Sequence, residues 1–253
     1  MASRVDLDDV IYGVHAIEEA LVAGEPLRRV HIADERRRDP AVRKILDLAS
    51  ERGAQLRFED RRFFTQFPYK AHQGVIAVGP PFPYVTLEEA LAKRGKPALY
   101  VVLDHITDSH NAGAIVRTAE SAGADAVILP ERRSAGINAT VRKAAAGATA
   151  HIPVARVSNI AETVRKLKKA SVWVAGADPG EGSLNYAQAD LSGDLALVIG
   201  AEGQGLSQVV RKECDFLVRI PMLGKVASLN ASVAAAVLLY EAVRQRSPQP
   251  PRP

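Results

Sequence analysis

What most constrains this chain of 253 residues is an alternation that begins near residue 99. Short apolar runs at 99–103, 126–129, 152–157, 172–175, 195–199 and 216–220 read as strands. Helical patterns separate most of them, at 112–122, 138–146, 160–169 and 206–212, and a last helix is expected from about 228 to 246. Strands that are apolar throughout, rather than at every second residue, bury both faces. Intervening helices supply the crossovers that parallel pairing needs. The pattern therefore predicts an α/β fold with a parallel sheet covered on both sides.

A smaller α/β block precedes it. Apolar residues from Ile11 to Val14 lead into a helical pattern at 16–22, which Gly24 and Pro26 stop. Strands are expected at 29–32, 56–58 and 74–78, and a helix at 40–52 with Gly53 just past its end. Gly79-Pro80-Pro81-Phe82-Pro83 cannot continue a central strand, because proline lacks the N–H that a ladder requires. The expected organisation is a front domain at 1–79, a linker at 80–97 containing a short helix, a main domain at 98–246, and a proline-rich tail at 247–253.

Composition narrows the class. The single cysteine, Cys214, forbids an intrachain disulfide and a Cys-rich zinc site. The apolar run at 233–240 is too short to span a bilayer, and no early segment reads as a signal peptide. A soluble, cytoplasmic protein without a metal is expected. The net charge of +4 is small, but its distribution is informative. Residues 1–80 carry thirteen basic and thirteen acidic side chains; the remainder carries twenty and sixteen. The neutral front block clusters its arginines at 36–38 and 61–62, which suits either phosphate contacts or a solvated surface.

Chemistry is expected on loops that leave the carboxyl ends of strands and open helices. Three such loops are rich in Gly and polar groups, at 104–118, 200–207 and 220–230. The second has glycines at 200, 203 and 205, a G-x-x-G-x-G spacing instead of the dinucleotide G-x-G-x-x-G, and Glu202 would face any phosphates. That spacing argues against a nicotinamide-dependent dehydrogenase and favours a cationic or zwitterionic ligand. Asn111 and Ser228 read as helix N-caps. Arg117, six residues beyond Asn111, lies about 240° around the helix from it. His105 and His110 lack a partner at metal-ligand spacing and read as loop or RNA-contact residues. The last helix is apolar nearly all round, so it is buried within one subunit or packed at a dimer interface.

In order, the loops resemble the three signature motifs of the SpoU (TrmH) branch of the SPOUT methyltransferases. The resembling residues are Asn111-x-Gly113-x-x-x-Arg117, then Gly200-x-Glu202-Gly203-x-Gly205, then Ile220-Pro221-Met222 with Ser228-Leu229-Asn230. The front block, with Gly13-x-His15-Ala16 and His72-Gln73-Gly74, resembles the L30e-like substrate-binding domain of that family. One departure stands in the first motif: Asp108-Ser109-His110-Asn111 replaces the usual Asp-Pro-x-Asn, which removes a rigidifying proline.

The resemblance implies a C-terminal SPOUT domain with a trefoil knot, bound S-adenosylmethionine and a homodimer with an active site drawn from both subunits. It implies 2′-O-methylation of a guanosine in 23S rRNA. By the same resemblance Gly200, Ile220 and Leu229 bind the cofactor, with Gly176 and Met222 as further candidates. Arg117 is implicated in activating the ribose hydroxyl, with Asn111, Glu202, Ser228 and Asn230 around it. A guanidinium with a pKa above about 12 is a poor proton acceptor. Arg117 is therefore expected to clamp phosphate and stabilise the developing alkoxide, with an RNA phosphate as the proton acceptor. The alternatives are the same reaction on tRNA or on an antibiotic-resistance site of rRNA, and a knotted RNA-binding assembly factor without catalysis. The front domain favours rRNA, and five intact polar site residues favour an enzyme.

Overall fold

A computed structural model describes residues 9–247. It divides into two compact units, one running to Pro83 and including Ile137–His151, the other Tyr84–Gly136 with everything from Ile152 onward.

The front unit is built on strands β1 (Val10–Tyr12), β2 (Arg29–Ala33), β3 (Gln55–Glu59) and β4 (Val75–Val78), in the order β1-β4-β2-β3. β4 runs antiparallel to both neighbours, and β2 pairs with β3 in parallel. Helix α1 (Val14–Val22) follows the first strand, and α2 (Pro40–Glu51) is the crossover between β2 and β3. Proline at the first helical position and the Asp39 side chain, which accepts the Ala41 N–H, explain where α2 starts. Val42, Ile45 and Ala49 recur at helical spacing and are buried against Ile17, Leu21, Val30 and Ile32. A short helix α3 (Arg61–Thr65), capped by Asp60, was not expected from the pattern, because Phe63 and Phe64 obscure its periodicity.

The second unit carries α4 (Leu87–Ala92), β5 (Leu99–Asp104), α5 (Ser109–Ser121) and β6 (Ala126–Pro130). After α6 (Ala139–Ala144) come β7 (Val154–Val157), α7 (Ile160–Lys169), β8 (Trp173–Ala177), β9 (Leu184–Asn185) and β10 (Leu195–Gly200). The chain ends through α8 (Gln208–Glu213), β11 (Phe216–Arg219) and α9 (Ala231–Arg246). Seven strands pair in the order β7-β6-β5-β10-β8-β11-β9, every pairing parallel. All six residues of β5 are buried, as are Leu195–Ile199 of β10, which is why these runs lack alternation.

The start of α5 differs from expectation. It begins at Ser109, capped by Asp108, whose Oδ1 accepts the Asn111 N–H at 2.8 Å. Asn111 is thus the third helical residue, and its side chain is free for other work. α9 begins three residues later than the pattern suggested. Its cap is Asn230, not Ser228, because Asn230 Oδ1 accepts from the N–H groups of Ser232 and Val233.

Residues beyond Pro83 pack on the second unit. The Val85 N–H donates to Val154 O at 3.0 Å, and Leu87 and Ala90 of α4 are buried in the core with Tyr100, Ile128 and Val174. Within the front unit, α6 packs on β1 and buries Arg142 against Glu25. Past Ser247, the expected tail lies outside the described residues.

Candidate active site

β5 and β10 are central neighbours, and their register sets Asp104 level with Gly200, so both loops leave the sheet at the same height. β8 and β11 end beside them. Strands leave β5 toward β6 on one side, while β10 and β8 lie on the other. Such a reversal of order opens a crevice at the carboxyl edge.

One cavity of about 340 Å³ sits in this crevice. One wall is the glycine loop after β10, Gly200 to Gly205; facing it are Ile220, Met222, Ser228 and Leu229 of the loop after β11, with Leu238 of α9 behind. Residues 177–180 after β8 close a third side. Gly200 is required by a close approach: a Cβ there would lie 2.2 Å from Gly205 C and 2.4 Å from Leu206 N. The two charged residues lining the cavity are Asp178 and Glu202, and no Lys, Arg or His lines it among the described residues. Asp178 is ion-paired to Arg211 Nε at 3.1 Å, which leaves the Glu202 carboxylate to favour a ligand carrying positive charge.

Glu202 anchors a polar cluster. Its Oε1 accepts from Asn111 Nδ2 at 2.7 Å and from Asn230 Nδ2 at 2.5 Å, while Asn230 Nδ2 also donates to Asn111 Oδ1 at 2.9 Å. Residues 111, 202 and 230, one from each signature loop, thus meet at one point. The cap exchange described above makes this possible. Asp108 takes over capping of α5, and Asn230 caps α9 with its oxygen while donating with its nitrogen.

A second cavity, about 580 Å³, shares Ala201, Glu202 and Gln204 with the first and is further lined by His105, Asp108, Asn111, Arg133 and Ser207. At its edge His105 Nδ1 lies 2.6 Å from Asp104 Oδ1. Asp104 is fully buried, and its Oδ2 accepts the Ser207 N–H at 2.7 Å, tying the loop after β5 to the loop after β10. Asp104 ends an otherwise apolar run, and nothing in the sequence marks its carboxylate as buried.

Not every expected residue reaches the cavities. Gly200, Ile220, Met222, Leu229, Ser228 and Glu202 line the first. Gly176 does not; it is buried in β8, where Leu206, Cys214 and Leu217 pack over it. Arg117 is exposed on α5 and lines neither cavity. Asp178, Arg133 and Asp104 were missed by the sequence reading because no local spacing distinguishes them from surface charges. Among the described residues no group of three or more His, Cys, Asp and Glu could hold a metal ion.

A parallel α/β unit with a polar cluster at its carboxyl edge, preceded by a small mixed-sheet unit, defines a class that comparison makes specific. Residues 98–240 match the SpoU rRNA Methylase family, and residues 10–85 match the RNA 2′-O ribose methyltransferase substrate-binding family. The chain belongs to the SpoU rRNA methylase family. It is 45% identical over 241 residues to the 23S rRNA (guanosine-2′-O-)-methyltransferase RlmB of Pseudomonas syringae, covering 94% of this chain and 96% of that one. The protein of the same name in Pseudomonas aeruginosa is 44% identical, with 94% and 97% covered. Among solved structures, the SpoU methyltransferase AviRb of Streptomyces viridochromogenes in complex with the cofactor AdoMet superposes with a TM-score of 0.80. It is 28% identical, with 94% of this chain and 89% of that chain covered.

Proposed function

We propose that the protein is an S-adenosylmethionine-dependent ribose 2′-O-methyltransferase acting on a guanosine of 23S rRNA. The observation that carries this reading is the Asn111–Glu202–Asn230 cluster at the junction of the two cavities. The RlmB relatives, similar along nearly the whole chain, support the substrate class.

The first cavity fits the cofactor chemically. S-adenosylmethionine carries a sulfonium, an amino group, a carboxylate and an adenosine, and no phosphate. The Glu202 carboxylate complements its positive charge, while Asp178 is ion-paired to Arg211; Ile220, Met222 and Leu229 offer apolar surface, and glycine-loop backbone flanks the space. When bound, the cofactor supplies a methyl group on a positively charged sulfur. Gly200, Ile220, Met222 and Leu229 hold it; Gly176 supports them from below.

Methyl transfer needs the ribose oxygen in line with the bond to be broken, so positioning is the larger part of catalysis. In this reading Asn111, Asn230 and Ser228 orient the ribose, and Glu202 fixes both amides. Arg117 has no recorded side-chain partner and stands exposed on α5. With the active site drawn from both subunits of a dimer, its guanidinium clamps an RNA phosphate and stabilises the developing alkoxide. The reading includes a homodimer, a trefoil knot in the second unit and a cytoplasmic location. Exposed Val233 and Tyr240, seven residues apart on α9, support the dimer by presenting an apolar face. No helix among the described residues is long and apolar enough to cross a membrane.

The test is transfer of labelled methyl from S-adenosylmethionine to unmodified 23S rRNA, with the modified nucleotide mapped. One 2′-O-methylguanosine is expected. Absence of label from rRNA would overturn the reading.

A further inference from the structure

The second cavity contains cationic capacity that the methyl-donor site does not use. Arg133 lines it and is exposed, and its guanidinium has no recorded hydrogen bond or ion pair. His105 lines it too, with Nδ1 fixed by the buried Asp104 and Nε2 without a recorded partner. Both residues hold a left-handed backbone, φ 56° at Arg133 and 62° at His105, where glycine would be unstrained.

The acids around this cavity are already engaged. Asp108 Oδ1 caps α5 through the Asn111 N–H, Glu202 Oε1 accepts two amides, and both oxygens of Asp104 are taken. The Arg133 guanidinium and the Nε2 edge of His105 are the unpaired nitrogen groups of this lining, with Thr107 and Gln204 beside them. Unpaired nitrogen groups next to a ribose-methylation site suit an anion with several acceptor oxygens.

We propose that Arg133, together with His105 held by Asp104, grips a backbone phosphodiester of the RNA strand next to the nucleotide being methylated. The proposal rests on the RNA methyltransferase reading above. Arginine presents a planar fork that matches two phosphate oxygens at once. An imidazole between the Asp104 carboxylate and a phosphate donates from both ring nitrogens when protonated. The charged groups bordering it are Asp104, Asp108, Glu202 and Arg133, so the phosphate meets one permanent cation beside an oriented imidazole. Asp104 is then a positioning residue, and its link to Ser207 couples this grip to the glycine loop.

The test is the affinity of Arg133→Ala for unmodified 23S rRNA transcript across a salt series. The expected result is binding weaker by about 5- to 50-fold, with a salt dependence shallower by about one released counterion. Affinity for S-adenosylmethionine and the melting temperature stay at the wild-type values, since Arg133 is exposed and outside the first cavity. Arg133→Lys restores the salt dependence but only part of the affinity, because an ammonium is a point charge. His105 is read by NMR of its ring nitrogens, which shift on adding RNA and not on adding inorganic phosphate at equal phosphate concentration. Wild-type affinity and salt dependence in Arg133→Ala would overturn the proposal. So would a His105 response to inorganic phosphate alone, which would make this a free-phosphate site. Failure of the methyltransferase reading shows up separately, as wild-type protein that transfers no methyl group.

Discussion

The two cavities at the carboxyl edge of the parallel sheet share a wall and differ in charge. The first is lined by two carboxylates, glycine backbone and apolar side chains, without a cation among the described residues. The second adds Arg133 and His105, and Asp108 and Glu202 each hold an internal hydrogen bond through one oxygen. Glu202 belongs to both. A methyl transfer brings a cationic donor and a polyanionic acceptor to one point, and this difference gives each ligand complementary groups on its own side. Three loops of one sheet build it.

The largest effect should come from the start of the glycine loop, in the first cavity. In Gly200→Ala the new Cβ would meet Gly205 and Leu206 backbone at 2.2–2.4 Å, a contact no side-chain rotation relieves. The glycine loop must move, and S-adenosylmethionine affinity by calorimetry should fall by roughly 100-fold or more. RNA affinity should fall far less if the phosphate grip is a separate device. An equal loss of both ligands would merge the two cavities into one functional unit.

Glu202→Gln sharpens the electrostatic half of the comparison. Its carbonyl can still accept from Asn111 and Asn230, so the change removes charge more than geometry. A charge lost at a partly solvated site is worth roughly 1 kcal/mol, or about fivefold in affinity. S-adenosylmethionine should weaken by that factor while S-adenosylhomocysteine, whose sulfur is neutral, binds as before. Parallel weakening of both would mean that Glu202 acts through loop structure instead of charge.

Much of this arrangement is legible in the sequence, for identifiable reasons. The apolar runs of β5 and β10 are continuous because both faces are buried, and helix α7 was expected over the very span it occupies, Ile160–Lys169. The signature loops announced Asn111, Glu202 and Asn230, which the fold brings within 2.5–2.9 Å of one another. Cap assignments were less legible. Asp108 and Asn111, or Ser228 and Asn230, are all good capping residues two or three positions apart. Tertiary contacts decide which one turns its side chain away. Strand order was not legible at all, since β10 enters between β5 and β8 through pairings with no local signature. The return of 137–151 to the front unit depends equally on distant partners, such as Glu25 for Arg142.

The smallest effect separates two glycines that the sequence placed together. Gly176 is buried in β8, where a Cβ would sit 2.7 Å from Leu206 Cδ1 and 2.9 Å from Cys214 Sγ and Leu217 Cδ2. These are the far ends of side chains, which can yield where the backbone around Gly200 cannot. Gly176→Ala should therefore cost about 1–3 kcal/mol of stability by denaturant titration, as overpacking does. Its S-adenosylmethionine affinity should change by less than about threefold. Cys214 offers an internal check. Burial pushes its thiol up to about 12, so at pH 8 it should react with a thiolate-directed reagent only when the chain opens. Faster labelling in Gly176→Ala with cofactor affinity retained would mark this glycine as a packing residue under the floor of the site. Loss of cofactor affinity with labelling unchanged would instead put Gly176 in the same category as Gly200.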